Sequence, residues 1–95
     1  MTMEKAIEDL ARALGRLCDM IEGSEHLRMA LAINVIQLQV AKSAGEKHFI
    51  FGYMAAMIQA INRKVGDAAD EKVSEAMEAL HHVRGMVIKE EEEEA

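Results

Sequence analysis

The spacing of glycine is the feature that most constrains this chain. Gly23, Gly45 and Gly66 divide its 95 residues into four segments of similar length, and glycine commonly ends a helix by adopting a left-handed conformation. Each segment repeats its apolar residues with the period of an α-helix, and no proline interrupts the repeats. The pattern therefore predicts an all-α fold, an antiparallel four-helix bundle-like domain. The predicted helices lie at about residues 3–22, 25–44, 46–65 and 68–89.

The first segment has the pattern of an amphipathic core helix. Its apolar residues alternate spacings of four and three, at Met3, Ile7, Leu10, Leu14, Leu17 and Ile21. Charged side chains occupy the opposite face, so one side of this helix is predicted to face the core and the other water. We expect residues 1–89 to form a single domain. Residues 90–95 form an acidic tail that should fray, because glutamates at a helix C-terminus oppose the helix dipole and repel one another.

The second segment carries two apolar stripes on nearly opposite sides. One stripe consists of Met29, Ile33, Ile36 and Val40, and the other of Leu27, Leu31, Val35 and Leu38. Each helix of a four-helix bundle shows one stripe to the core, so a helix that is apolar on two sides needs a second partner. We therefore predict that the stripe beginning at Met29 is an interface, with a second copy of the chain in a homodimer or with another protein.

The third segment combines a core stripe with a ridge of small residues. The core stripe is Ile50, Met54, Met57, Ile58, Ile61 and Val65. Gly52, Ala56 and Ala60 are spaced by four, so they fall on one side of a helix and let a neighbouring helix approach closely.

Charge and composition argue against several functional classes. Five of the 17 acidic residues lie at Glu90 to Glu94, which leaves 12 acidic against 11 basic residues in the rest of the chain. The chain therefore has no basic stripe that could neutralise phosphates, and we expect no direct binding of nucleic acid. The longest nearly apolar stretch, Phe49 to Ile58, is too short to span a bilayer. Cys18 has no partner for an internal disulfide and no basic-then-apolar leader is present, so we expect a cytoplasmic protein.

One short motif suggests chemistry. In the fourth segment, His81 is followed by an aliphatic residue at Val83, a cation at Arg84 and then Gly85. This order resembles the phosphoacceptor segment of histidine phosphotransfer domains, which are four-helix bundles. The resemblance covers about six residues, and Met86 stands where those domains usually carry a small residue. It implies His81 as the phosphoacceptor, Arg84 as the cation that offsets the phosphoryl charge, and Gly85 as room for a docking receiver domain.

The same segment contains a weaker metal-binding pattern. Glu78 and His81 have the Glu-x-x-His spacing of di-iron bundles, and His82 follows directly. Such sites need a second copy of the motif and further inward glutamates, which the sequence lacks. We expect no metal or other cofactor and no catalytic residues. The sequence favours a small non-catalytic interaction or regulatory protein acting through homodimerisation and a protein partner, with histidine phosphotransfer as the alternative and metal binding third.

Overall fold

The protein is all-helical. The computed structural model describes residues 2–94, so Met1 and Ala95 lie outside it, and no strand occurs in the described part. Consecutive helices lie side by side because the connections between them are short. The elements are α1 (Met3–Cys18), α2 (Glu25–Val40), α3 (Ala44–Val65) and α4 (Asp70–Glu94), with a short 3-10 turn at Gly66–Ala69 between α3 and α4.

Helices α1, α3 and α4 form the compact part of the fold. Helix α4 packs against both α1 and α3. Arg16, near the end of α1, meets Glu75, near the start of α4, with 3.5 Å between Nε and Oε2, so these two helices run antiparallel. The predicted seam of α1 is buried from Ile7 to Leu17. The largest fully buried side chains include Leu10, Leu17, Phe51, Met54, Ile58, Leu80, Val83 and Val87.

Helix α2 contributes less to this core. It packs against α1 and α3, but among its 16 residues Leu31, Asn34 and Leu38 are the buried ones. Helix α1, which has the same length, buries a complete stripe. Since most helical stability in proteins comes from packing of an apolar face, α2 is the helix least stabilised by the rest of the chain.

Three of the predicted helix ends are wrong, those of the first, second and fourth helices. Helix α1 ends at Cys18 and not near residue 22. The Cys18 carbonyl oxygen accepts a turn-type hydrogen bond from the Ile21 amide at 3.1 Å and a second one from the Ser24 hydroxyl at 3.1 Å. Gly23 still has a left-handed φ of 69°, within the connection. Gly66 ends α3 as predicted, with a φ of 79°.

Helix α2 ends at Val40, and Gly45 lies in the first turn of α3. The cause is a capping arrangement that begins the next helix early. The Ser43 hydroxyl accepts a hydrogen bond from the Glu46 amide at 3.2 Å, and the Glu46 carboxylate accepts one from the Lys42 amide at 3.0 Å. Together they satisfy two backbone donors at the start of α3.

The acidic C-terminus is helical through Glu94, so the expected fraying is not observed in the described residues. Glutamate is a good helix former, and the Glu91 carboxylate contacts Nε2 of His48 on α3. The His48 ring also meets Phe51 edge-on, with 5.8 Å between ring centroids. The contact between His48 and Glu91 therefore joins the acidic tail to α3.

Breaking this contact is expected to have a small effect on stability. Both side chains are partly exposed, and exposed polar pairs contribute little to the free energy of unfolding. Glu91→Gln should therefore lower the free energy of unfolding by up to about 1 kcal/mol. Chemical denaturation measures this. Glu93→Gln, which removes a charge from the same run, is the control, and equal effects of the two substitutions would show that the tail does not dock on His48.

Candidate protein-binding surface

Helix α2 presents its two apolar stripes in opposite directions. Leu31 and Leu38 are buried against α1 and α3, and Leu27 and Val35 are partly buried beside them. The four residues predicted to form an interface all lie on the outer side and are largely exposed: Met29 by 62%, Ile33 by 49%, Ile36 by 57% and Val40 by 67%. No other part of the described chain covers this stripe.

Helix α3 extends the apolar surface. Phe49 is 78% exposed and Tyr53 is 52% exposed, whereas Phe51, between them in sequence, is 1% exposed. The core stripe predicted for α3 is correct at Ile50, Met54, Ile58 and Ile61. Phe49 and Tyr53 were not predicted to belong to a site. Their position off the core stripe was the feature of the sequence that could have indicated their exposure. We call the surface formed by Met29, Ile33, Ile36, Val40, Phe49 and Tyr53 the α2–α3 face.

A groove runs between the two helices. Its volume is about 870 Å³. Asn34 lies in it as a buried polar residue, and its side-chain amide donates to the Met57 sulfur at 3.7 Å. The groove is open along its length, and apolar side chains stand at its rims. Lining residues include Ile33, Gln37 and Val40 from α2 and Gly45, Phe49 and Tyr53 from α3.

The α2–α3 face is also free of charge. Residues 29–41 and 49–62 contain no aspartate, glutamate, lysine, arginine or histidine. The opposite side of the molecule is different: Asp9 on α1 contacts both Lys5 and Arg12, and Glu75 on α4 lies near Arg16 and Lys72. The hydrogen bond from Lys5, with its charge and that of Arg12, lowers the pKa of the Asp9 carboxyl. The ion pairs are therefore concentrated on the α1–α4 side of the molecule, whereas the α2–α3 side is mainly apolar, with Glu46 as a charged residue lining its groove.

The size of the face is unusual for a monomer. With exposed fractions from 49% to 78% and side chains of roughly 150–250 Å² for the larger residues, the six residues present on the order of 700 Å² of accessible surface. The largest apolar patch of a typical monomer is about 300–600 Å². The face is thus at or above the upper end of that range, and patches of this size are typical of binding sites.

A smaller apolar groove separates α1 from α2 and contains the cysteine. It has a volume of about 300 Å³ and is lined by Leu14, Gly15, Cys18 and Ile36 among others. Cys18 is 1% exposed, and its burial raises the pKa of the thiol. A thiol that resists ionisation is a poor nucleophile, so Cys18 behaves as a small core residue.

The possible phosphoacceptor segment lies on the surface. His81 and Arg84 are both exposed, and the Arg84 guanidinium donates to Nδ1 of His81 at 2.8 Å. Gly85 has open space around the position of a Cβ atom. Arg84 lies outside the apolar stripe of α4, whose buried positions are Ala76, Leu80, Val83 and Val87, spaced by four, three and four.

The possible metal ligands do not converge. Glu78 and His82 line a shallow groove with Asp9 of α1, while His81 projects elsewhere towards Arg84. Within residues 2–94, no group of three or more histidine, cysteine, aspartate or glutamate side chains is arranged to hold a metal ion.

Comparison of the chain with known protein families, with curated proteins and with solved structures found no match. None of the helices in residues 2–94 combines the length and apolar character needed to cross a membrane. The geometry described above is therefore the basis for any functional conclusion.

Proposed function

We propose that the protein is a small non-catalytic helical interaction protein with a regulatory role, which acts by forming a homodimer and by binding a further protein. The α2–α3 face carries this proposal. It is apolar, uncharged and larger than the apolar patches of ordinary monomers. Interface cores are depleted of charged residues and enriched in aromatic residues and methionine. Phe49, Tyr53 and Met29 give this face that composition.

The proposal also accounts for the weak burial of α2. We infer that α1 to α4 form an antiparallel four-helix bundle in which the outer side of α2 is covered by a second copy. Packing of the inner side of α2 against α1 and α3 supports this arrangement. A reducing, cytoplasmic environment suits the one cysteine, Cys18, which is buried and unpaired.

Light scattering on the unmodified protein tests the proposal. At micromolar concentration the particle mass should be at least twice the chain mass of 10.5 kDa. Dilution should shift the mass towards that of one chain, because dimers separate by mass action. A folded monomer at every concentration would contradict the proposal.

Histidine phosphotransfer is the second candidate function, and one observation favours it. His81 and Arg84 are exposed together, which an acceptor imidazole and its supporting cation require. Their hydrogen bond argues in the other direction. A guanidinium only donates, so Nδ1 of His81 accepts and the ring proton lies on Nε2. Neither nitrogen then has a free lone pair to attack phosphorus until Arg84 moves away.

Incubation with a phosphodonor or a phosphorylated receiver domain distinguishes the two functions. We expect no phosphate on His81. Because Arg84 is exposed, the free energy of unfolding of the Arg84→Ala variant should lie within about 0.5 kcal/mol of the parent's. His81→Gln should be equally neutral. Stoichiometric, acid-labile phosphate that is abolished by His81→Gln would overturn the non-catalytic assignment.

A further inference from the structure

The exposed side of α3 alternates large and small residues. Gly52 lies in the middle of this helix. It shares the exposed side of α3 with Phe49, Tyr53 and Ala56. Nothing approaches within 4 Å of the position that a Cβ atom of Gly52 would occupy. Glycine in a helix interior is less stable than alanine by roughly 0.5–1 kcal/mol. No contact within the chain offsets that loss, whereas a second helix approaching Gly52 closely would.

The order of these residues is self-complementary. In two antiparallel copies of α3 related by a two-fold axis between Gly52 and Tyr53, residues whose numbers sum to 105 face each other. Phe49 then faces the partner's Ala56, and Tyr53 faces the partner's Gly52. At the ends, Gly45 faces the partner's Ala60, and Glu46 faces the uncharged Gln59 of the partner subunit. At the two central pairings a large side chain lies over a small one, which is how facing helices interdigitate.

We propose that a second copy of this chain docks on the α2–α3 face with its α3 antiparallel to the first, so that Phe49 of each subunit packs on the partner's Ala56. This arrangement rests on the proposed function and specifies the partner and geometry of the same face. Each pairing then occurs twice, once from each subunit, as the symmetry of a two-fold dimer requires. It also places the aromatic rings beside the groove that Ile33 and Val40 line.

Size and charge favour a second copy over other occupants. A stable interface buries about 800 Å² on each partner, and the face offers apolar surface on the order of 700 Å² before its polar rim is added. A strongly charged partner gains nothing from a surface whose helices are uncharged over residues 29–41 and 49–62. A second copy brings an equally large, equally uncharged face.

Two single substitutions test the arrangement. Phe49→Ala leaves alanine facing alanine in the homodimer, and Ala56→Phe leaves phenylalanine facing phenylalanine, so each should raise the dissociation constant at least about tenfold. An equimolar mixture of the two variants restores a large residue opposite a small one at both contacts. Sedimentation of the mixture should therefore show a heterodimer with nearly the parent affinity. Both sites are exposed, so circular dichroism of each variant should match the parent.

Disulfide trapping gives a second test that needs only modest changes. A chain carrying Phe49→Cys and a chain carrying Ala56→Cys should form a disulfide-linked heterodimer on mixing under oxidising conditions. Neither chain should cross-link to itself, because residues seven apart in an antiparallel helix pair are displaced by about 10 Å along the axis. The buried Cys18 serves as an internal negative control.

The outcomes separate this inference from the proposed function. A parent protein that dimerises, with variants that neither weaken the dimer nor complement each other, would overturn the antiparallel α3 contact and leave homodimerisation standing. Self-cross-linking of the Phe49→Cys chain would overturn it in the same way. A monomeric parent would overturn both proposals.

Discussion

Replacing both Ile33 and Ile36 with glutamate is expected to turn the dimer into a folded monomer. In the single chain these side chains are 49% and 57% exposed, so the new carboxylates remain hydrated and the helix can still form. Covered by a second copy, they would lose that hydration without a cationic partner, at a free-energy cost of several kcal/mol by order of magnitude. Light scattering should give the mass of one chain, and circular dichroism should give the helical content of the parent.

Ile88→Glu is the matched control for this experiment. Ile88 lies on α4, is 43% exposed and is not part of the α2–α3 face, so the same chemical change there should leave the dimer intact. If the double variant stays dimeric, or if Ile88→Glu dissociates the protein equally well, the interface lies elsewhere on the molecule.

Leu10→Ala is expected to have the largest effect on stability, a loss of about 2–5 kcal/mol in the free energy of unfolding. Leu10 is fully buried, and it belongs to α1, which packs on α4 in the compact part of the fold. Truncation removes apolar contacts and leaves a cavity that close-packed neighbours fill only in part. Urea denaturation measures the loss.

Met29→Ala is the control for Leu10→Ala. It is made in the chain that already carries Ile33→Glu and Ile36→Glu, which we expect to be monomeric, so that subunit dissociation does not contribute to the measured stability. Met29 is 62% exposed, and its truncation should change the free energy of unfolding by no more than about 0.5 kcal/mol. Similar losses for Leu10→Ala and Met29→Ala would mean that α1 does not pack in the core as described.

Helical periodicity predicted the elements well, since it depends on residues a few positions apart. The spacing from Met3 to Leu17 identified the buried side of α1, and the two stripes of α2 lie where the sequence placed them. Helix ends were less predictable. Gly45 has the residue type of a helix end, but the Ser43 and Glu46 caps begin α3 ahead of it. That Ser-x-x-Glu pattern was visible in the sequence and outweighs a glycine that lies within it, two residues after the serine.

Contacts between distant residues had no local signal. His48 and Glu91 are separated by almost half of the chain, and nothing in either neighbourhood indicates the other. For Phe49 and Tyr53 the local signal was limited to their position off the core stripe predicted for α3. Helix α3 is apolar on more than one side, so its pattern does not reveal which side the neighbouring helices cover. The α2 stripe of the α2–α3 face was therefore predicted from the sequence, whereas its two aromatic residues on α3 were not.

The sparse burial of α2 ties the stability of that helix to the amount of protein present. In a lone chain, Leu31, Leu38 and Asn34 are its buried residues, and a segment with few buried contacts opens locally at low free energy. Covering its outer stripe by a second copy adds a stabilisation that grows with concentration. If the proposed dimer forms, we expect α2 to exchange its amide protons and to be cut by proteases more readily in dilute than in concentrated solution. The order of this one helix would then follow the concentration of the protein.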